Sequence, residues 1–471
     1  MIPLFKQKEI EMKKLPVVFL LLLWIASAAL GADSQELLRT VAEKYSGALC
    51  LVRCESKQES GQRSMAGIGI CIDGSGLIMT SGIDPRIRVE FISKLEVTVP
   101  GDPPKVFQGQ LLGIDLVTGF SFIRIQGGHK WSVVTFQSQS GLSLGDQVAS
   151  IGLSLGDPAL PTTLGLGYVS VLQRVPDRLV GVTGGMLSNI GSVVFNNRGE
   201  AIGLVSTQPF LRYVTIGPRG AVSMPLKGED KTFSFRPVED FVYVLRNIPQ
   251  DGKVRRPPWI GVGHFSPVER NLAEAKGIQV PAVMIDQVIP DHVGDKAGLK
   301  DRDIIIGMDG RPLEKMSSPQ FVVRNFNNRL MRKLVGGNVS LTVLDGVQKR
   351  EVRIKLAPMP MLQSEAKRFY DKTLGFLVRE MVMLDRFADR SFSVKVDGLI
   401  VLTVVKQSPA FNAGLKQGDI ITSINKRSVQ TIKGCSDIIK KAFSQTPPLN
   451  LALTVQRGES MQKLTIRAPK K

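Results

Sequence analysis

Acyl transfer by a side-chain hydroxyl needs a base to take the hydroxyl proton and a buried acid to hold that base in place. Serines and histidines are therefore the first residues to locate. The stretch Ser188 to Ser206 (SNIGSVVFNNRGEAIGLVS) offers two hydroxyls, Ser188 and Ser192, on a turn that leads into an apolar run. The chain holds three histidines, His129, His264 and His292, and only His129 lies in the same half of the sequence as those serines. It follows Gly127 and Gly128, after the strand-like run Phe120 to Ile125, which suits a solvated turn histidine better than a displaced general base. A Ser/Lys dyad at Ser188 or Ser192 is chemically available. No spacing argues for it, and turn hydroxyls that cap local backbone are the simpler reading.

Thiols are the other reactive groups. Cys50 and Cys54 share one strand-like segment (ALCLVRC), and Cys71 sits in the next (GIGICI). A hairpin turning near Ser60-Gly61 sets Cys50 opposite Cys71, so a bridge between them and a pair of buried free thiols are both open. Cys50 and Cys54 on one extended strand are too far apart to bridge. Cys435 starts a predicted helix and has no evident partner. No Cys-x-x-Cys pair and no nearby histidine supply zinc-like spacing, and Leu164 to Gly167 (LGLG) precedes a strand-like YVSVL rather than opening a helix. No metal and no other cofactor is expected.

A length of 471 residues predicts about two to four domains. With 43% hydrophobic and 22% charged residues the chain reads as folded domains rather than disorder. The formal charge of +19 is large, but lysines and arginines are scattered and aromatics make up 6%. A base-stacking nucleic-acid groove needs aromatics interleaved with the basic residues, so nucleic acid is not an expected partner, and attraction to acidic partners is a secondary expectation. At the N-terminus, Lys13 and Lys14 precede an apolar run from Leu15 to Leu30 that meets Ala28, Ala29, Gly31 and Ala32. This reads as a secretory signal peptide over 1–31 with Met12 as a more typical start, and the run is shorter than the roughly 20 apolar residues of a spanning helix.

Asp33 and Ser34 are placed to cap a short helix through Lys44, and Ala42 to Arg53 then passes into strand. From there to about Pro225, short segments split by Gly, Pro, Asp and Asn predict an all-β domain, with strands at Leu95 to Val99, Lys105 to Ile114, Gly145 to Ile151, Gly167 to Leu172 and Glu200 to Val205. Arg236 to Asn247 is a predicted helix, and Pro257-Pro258 stiffens the linker after it. Beyond the linker the chain repeats itself: Ala297 to Ile305 (AGLKDRDII) returns as Ala413 to Ile421 (AGLKQGDII), each between a strand and a strand–turn–helix continuation. Two small independent domains fit this better than a stacked solenoid. The first copy has Arg302 where the second has Gly418, so its local turn is the point of departure.

Gly67 to Ile83 (GIGICIDGSGLIMTSGI), Gly113 to Ile125 (GIDLVTGFSFIRI) and Ser188 to Ser206, in this order and spacing, resemble the three catalytic segments of the trypsin-like domain of the HtrA/Deg family. Gly252 to Val262 (GKVRRPPWIGV) resembles that family's junction to a first PDZ domain, and the repeats resemble two tandem PDZ domains. The resemblance implies a mainly β fold, a trypsin-like double β-barrel followed by two α+β PDZ domains. Its units are a signal peptide at 1–31, the barrel domain at 32–228, a helical linker at 229–257, PDZ domains at 258–357 and 373–471, and a linker at 358–372.

Laid onto the family pattern, the base falls on Ile83, the orienting acid on Gly119 and the nucleophile on Ile190. None of the three has a side chain able to move a proton. No catalytic residue is therefore expected, and the resemblance implies a pseudoprotease: a peptide-binding scaffold, adaptor or chaperone-like protein of envelope protein quality control. The alternatives are a serine endopeptidase of non-standard arrangement and a basic envelope-surface binder without peptide specificity. PDZ domains take a chain end onto a sheet edge while backbone N–H groups hold its carboxylate. The corresponding loops are Trp259-Ile260-Gly261-Val262 and Thr373-Leu374-Gly375-Phe376, with Gly261 and Gly375 at the carboxylate and Ile260, Val262, Leu374 and Phe376 as apolar walls. Expected partners are C-terminal or unfolded polypeptides, with a homo-oligomer such as a trimer or an active protease paralogue. The expected place is the periplasm or cell envelope.

Overall fold

The computed structural model describes residues 34–58, 61–85, 87–174, 178–206, 212–217, 220–225, 233–345, 348–387, 396–446 and 449–467. The signal segment and Asp33 lie outside them. Among the described residues no helix is long and apolar enough to cross a membrane.

Helix α1 (34–45) places Leu37, Val41 and Tyr45 at intervals of four, on one face, and that face is buried. Tyr45 stacks on Phe195 with centroids 4.6 Å apart and donates to the Gly199 carbonyl at 3.2 Å. The helix thereby ties the entry of the chain to the second barrel.

The first barrel comprises β1 (Leu49–Gln58), β2 (Gly61–Asp73), β3 (Leu77–Thr80), β4 (Ile92–Val99), β5 (Lys105–Asp115) and β6 (Ser121–Ile125). They run in the order β5-β4-β1-β2-β3-β6, and pairing of β5 with β6 closes the ring. The β1–β2 hairpin forms as the cysteine spacing suggested, but its register sets Cys50 opposite Gly69, not Cys71. All four thiols are free and buried.

The second barrel uses β7 (Gln147–Leu153), β8 (Thr162–Gln173), β9 (Leu179–Met186), β10 (Val193–Asn196) and β11 (Ala201–Val205). A two-stranded hairpin, β12 (Arg212–Gly217) with β13 (Gly220–Pro225), comes next, and β14 (Phe233–Pro237) closes the barrel between β11 and β9. Strands β7 and β10 are apolar on both faces for a reason the contacts make plain. Val148 and Val194 fill the barrel interior, whereas Ala149, Ile151, Val193 and Phe195 pack with the core of the first barrel. The expected domain end at 228 thus falls short of β14, and the helix expected over Arg236 to Asn247 is confined to a 3₁₀ turn at Val238–Asp240 and α2 (Val242–Leu245). Ser234 and Phe235 are buried on successive positions of the closing strand, which holds Arg236 and Pro237 extended.

Strand β15 (Lys253–Arg255) lies parallel to β5, and β16 (Pro258–Trp259) pairs with β23 (Ala357–Pro358). The first repeat domain is a sheet of β17 (Val262–Pro267), β18 (Val283–Val288), β19 (Ile304–Met308), β21 (Asn338–Asp345) and β22 (Gln348–Lys355), with β20 (Arg311–Pro312) on β19. Around it pack α3 (Arg270–Ala275), α4 (Val293–Lys296) and α5 (Pro319–Met331). The second repeats the plan with β24 (Arg368–Asp371), β25 (Phe376–Glu380), β26 (Leu399–Val404), β27 (Ile420–Ile424), β29 (Leu451–Arg457) and β30 (Ser460–Ile466). It adds β28 (Arg427–Ser428) on β27, α6 (Pro409–Asn412) and α7 (Ile432–Phe443).

The two copies share their turn despite the Arg302/Gly418 difference: both residues have left-handed φ, 68° and 87°. Arg302 N–H donates to Ile285 and Gly418 N–H to Val401, at 2.7 and 2.9 Å. Each turn is fastened by an arginine from the terminal hairpin, Arg350 on Asp303 at 2.5 Å and Arg457 on Asp419 at 2.7 Å.

The inter-barrel cleft as candidate functional site

Between the barrels opens a cleft of about 810 Å³ whose lining includes Gly67, Ser81, Gly82, Ser188, Asn189 and Ile190. Its floor depends on a close backbone crossing. A Cβ on Gly67 would stand 2.5 Å from the Gly82 Cα, so both positions require glycine. Thr80 Oγ1 donates to the Ile68 carbonyl at 2.8 Å and accepts from Gly82 N–H at 3.0 Å, which sets the turn that carries Ser81 to Ile83.

Ile83 itself points away from the cleft into the first core, 1% exposed. Gly119 occupies a left-handed turn at φ +77°, where a Cβ would meet the Pro85 ring at 3.9 Å, so the base-like and acid-like segments do lie side by side. Their polar scaffold is intact. Asp115 is 1% exposed and accepts from Thr118 N–H and Thr118 Oγ1 at 2.7 Å and from Arg255 Nε at 2.6 Å. Arg236 donates to the Thr118 carbonyl at 2.7 Å and lies over the Phe120 ring, and burial lowers its pKa. The loop is held by carboxylate and guanidinium, while Gly119 within it offers no side chain.

Ile190 stands at the cleft mouth, 58% exposed, with Met186 and Leu155 beside it at 59% and 38%. The oxyanion hole of a serine protease uses the nucleophile's own amide and the amide two residues before it. Counted from Ile190 as the expected nucleophile position, the latter would be Ser188 N–H, and it donates to Ser150 Oγ at 2.8 Å. Ser188 Oγ donates to the Thr163 carbonyl at 2.9 Å, and Asn189 Nδ2 to the Leu153 carbonyl at 2.8 Å. Ser192, the other candidate hydroxyl, is fully buried and its Oγ has no hydrogen-bond partner among the described residues. Among the described residues the lining carries no histidine, lysine or carboxylate.

His129 sits outside the cleft, edge-on to Trp131 at 4.6 Å and tilted on Phe107 at 5.8 Å, where burial and then Lys105 lower its pKa. His264 contacts Asp286 on the exposed side of β17, and His292 meets Trp259 edge-on at 5.3 Å. Among the described residues no cluster of His, Cys, Asp or Glu has the makings of a metal site.

The peptide-loop residues Ile260, Val262, Leu374 and Phe376 are buried in the cores of their domains, and Gly261 and Gly375 take left-handed φ of 79° and 75°. The two glycine turns are built alike. Gly261 carbonyl accepts from Ile289 N–H at 2.9 Å and Gly375 carbonyl from Val405 N–H at 2.8 Å. Beyond the turns the copies diverge: β17 is an edge strand, as expected, whereas β25 is flanked by β24 on its outer side. The expected linker at 358–372 therefore contributes a strand to the second repeat domain. Neither arm of that hairpin alternates in sequence, and the Lys-Thr-Leu-Gly turn between Asp371 and Phe376 was its one local signal. Sequence reasoning also missed Ser150, whose type alone carries no hint of its distant partner.

Residues 67–204 match the family profile of trypsin-like peptidase domains and residues 378–467 that of PDZ domains. The chain is 25% identical over 369 residues to a probable periplasmic serine protease do/HhoA-like of Haemophilus influenzae, covering 78% of this chain and 72% of that one. It is 27% identical over 400 residues to a probable periplasmic serine endoprotease DegP-like of Halomonas elongata, covering 81% and 74%. With the periplasmic serine endoprotease DegP of Salmonella typhimurium it shares 25% over 408 residues, covering 85% and 76%. Among solved structures, an HtrA-type protease AlgW variant with decapeptide superposes with a TM-score of 0.52 at 18% identity, over 69% of this chain and 98% of that one.

Proposed function

We propose that this chain, an HtrA/DegP-like, trypsin-fold serine protease homologue with a PDZ domain, binds polypeptides without hydrolysing them. The observation that carries the reading is the cleft itself. Where base, acid and nucleophile would stand are a buried Ile83, a side-chain-free Gly119 and an exposed Ile190, and Ser188 N–H is already engaged by Ser150. A hydroxyl without a base within reach does not attack an amide at a useful rate.

The cleft retains an apolar rim of Leu155, Met186 and Ile190, suited to extended chains with exposed apolar side chains. The first repeat domain, whose Gly261 turn leads into the edge strand β17, adds the means to take chain ends by β-augmentation. The periplasmic setting of the relatives makes the envelope the proposed place of action, after removal of the segment 1–31. The proposed role is that of a holding or adaptor protein in envelope quality control, alone, as a homo-oligomer or beside an active protease paralogue.

The test uses the purified full chain with unfolded casein and a serine-directed fluorophosphonate probe. No cleavage and no labelling are expected, together with suppressed aggregation of a reduced, unfolding client. Ile190→Asp and Met186→Asp should weaken that suppression. Cleavage or labelling would instead establish a serine endopeptidase of unusual construction.

A further inference from the structure

In the first repeat domain β17 pairs with β18, Val262 opposite Val288 and Phe265 opposite Ile285, and its other side carries no strand among the described residues. An extended chain end can join it there, between the strand and α5. The corresponding strand of the second domain has neighbours on both sides. Strand β26 covers one, and β24 runs antiparallel along the other, with Phe369 opposite Val378, Tyr370 opposite Leu377 and Asp371 opposite Phe376. The place of a ligand strand is taken by the chain's own residues 368–371.

The side chains complete the likeness. Phe369 packs against the core of the domain, as an anchoring side chain of a ligand would. Asp371 Oδ1 accepts from the N–H groups of Thr373 and Leu374 at 3.0 and 2.9 Å, and its carbonyl accepts from Gly375 N–H at 2.8 Å. These turn amides are the donors a terminal carboxylate would need, so edge and turn are occupied together. The strap is fastened upstream as well. Lys367 carbonyl accepts from Glu380 N–H at 2.9 Å, Gln363 Nε2 donates to Asp385 at 2.7 Å, and Arg256 grips both oxygens of Glu365 at 2.9 Å.

We infer that residues 368–371 act as an internal ligand that closes the second PDZ groove, leaving the β17 edge of the first as the docking surface for an external peptide with a free C-terminal carboxylate. The second half of this statement rests on the peptide-binding reading above; the closure of β25 does not.

Hydrogen exchange on the intact full chain, followed by mass spectrometry, tests the closure without any ligand. The outward amides of 376–380 should exchange at least about tenfold more slowly than those of 262–267. The variant F369S/D371A should erase that difference and expose Cys435, a buried thiol of α7 near Asp371, to alkylation at least about tenfold faster. Cys50, Cys54 and Cys71 in the first barrel should stay protected, which certifies the fold. A fluorescent pool of decapeptides with free apolar C-termini, against its amidated counterpart, should load one peptide on the native chain and two on the variant. Equal exchange at β17 and β25 in the native chain, or two peptides bound by it, would overturn the inference. If neither protein binds peptide, the peptide-binding reading fails, while exchange and alkylation still decide whether β25 is closed.

Discussion

The N–H of Ser188 points into the protein, donating to Ser150 Oγ at 2.8 Å, instead of facing a substrate carbonyl. Preorganised amides account for much of the barrier reduction in acyl transfer, and one missing donor costs about 10²- to 10³-fold in turnover. On the reading proposed above, supplying the three triad side-chain types alone is therefore not enough. The triple variant I83H/G119D/I190S should remain without measurable casein hydrolysis. Its new histidine enters a position only 1% exposed, and its new aspartate takes a φ of +77°, at about 1 kcal/mol or more of strain. Adding Ser150→Ala, which frees the amide, should raise any residual turnover by about a hundredfold. Equal turnover with and without Ser150 would show that the amide is not limiting.

Ser192 gives a stability readout that also bears on a serine-based mechanism. Its hydroxyl is fully buried and unpartnered among the described residues, and a Cβ on Gly152 would fall 1.9 Å from it, so the site is tight as well as polar. Leaving such a donor unsatisfied costs about 1–3 kcal/mol. Ser192→Ala should accordingly stabilise the barrel domain by about 1 kcal/mol, read as a higher urea midpoint at unchanged slope. Client binding should be unaffected. A destabilised variant would mean that Ser192 has a partner in solution.

The barrels were legible in the sequence because their strands are short, apolar and punctuated by glycine, and because three spaced segments fixed their order. Ile83, Gly119 and Ile190 were assigned by laying those segments onto the family pattern they resemble. Long-range partners could not be: Ser150 and Ser188 are 38 positions apart, and nothing in either residue type announces the other. The closing strand at Phe233–Pro237 was hidden for a related reason, since its neighbours β9 and β11 are remote and its own pattern is too short to outweigh the helical look of the residues after it. Likewise Arg368–Asp371 reads as linker by position and becomes strand only through the register of its hairpin.

The shared turn of the two repeats provides a reciprocal substitution. Arg302 holds φ +68° where the second copy has Gly418 at +87°. An L-residue in that region costs about 1–2 kcal/mol, partly offset by the greater freedom glycine has in the unfolded chain, about 0.4–1 kcal/mol. Arg302→Gly should stabilise the first repeat domain by about 0.5 kcal/mol and Gly418→Ala should destabilise the second by about 1 kcal/mol. Hydrogen exchange resolved by domain would read both. Opposite signs would imply that Arg302 makes compensating contacts.

Where β5 receives β15, the second barrel meets the first repeat domain through Asp240, whose Oδ1 accepts from Arg332 of that domain at 2.8 Å. Burial raises the Asp240 pKa against the pull of Arg332, Arg178 and Arg236. Asp240→Ala would leave these guanidinium groups facing one another across a seam only partly open to water. The expected result is a looser joint: faster proteolysis between 246 and 257 and a larger radius of gyration, with both domains still folded. An unchanged radius and cleavage rate would show that the β15–β5 pairing suffices to hold the seam.

The four buried thiols contribute to the pH dependence of stability on the alkaline side. Burial pushes Cys435 up to about 12 and Cys54 and Cys71 up to about 11, and Cys50 higher still, all from an ordinary value of 9.0. Between the ordinary and the raised values the unfolded chain has lost these protons while the folded chain keeps them. The unfolded state therefore gains with rising pH. The thiol contribution should be intact below about pH 9 and should decline through about pH 11 to 12, measured as a falling urea midpoint. In the native protein at pH 8, iodoacetamide should leave all four cysteines unmodified, whereas in denaturant all four should react. Rapid native modification of Cys50 or Cys71 would show that the β1–β2 hairpin opens on its own.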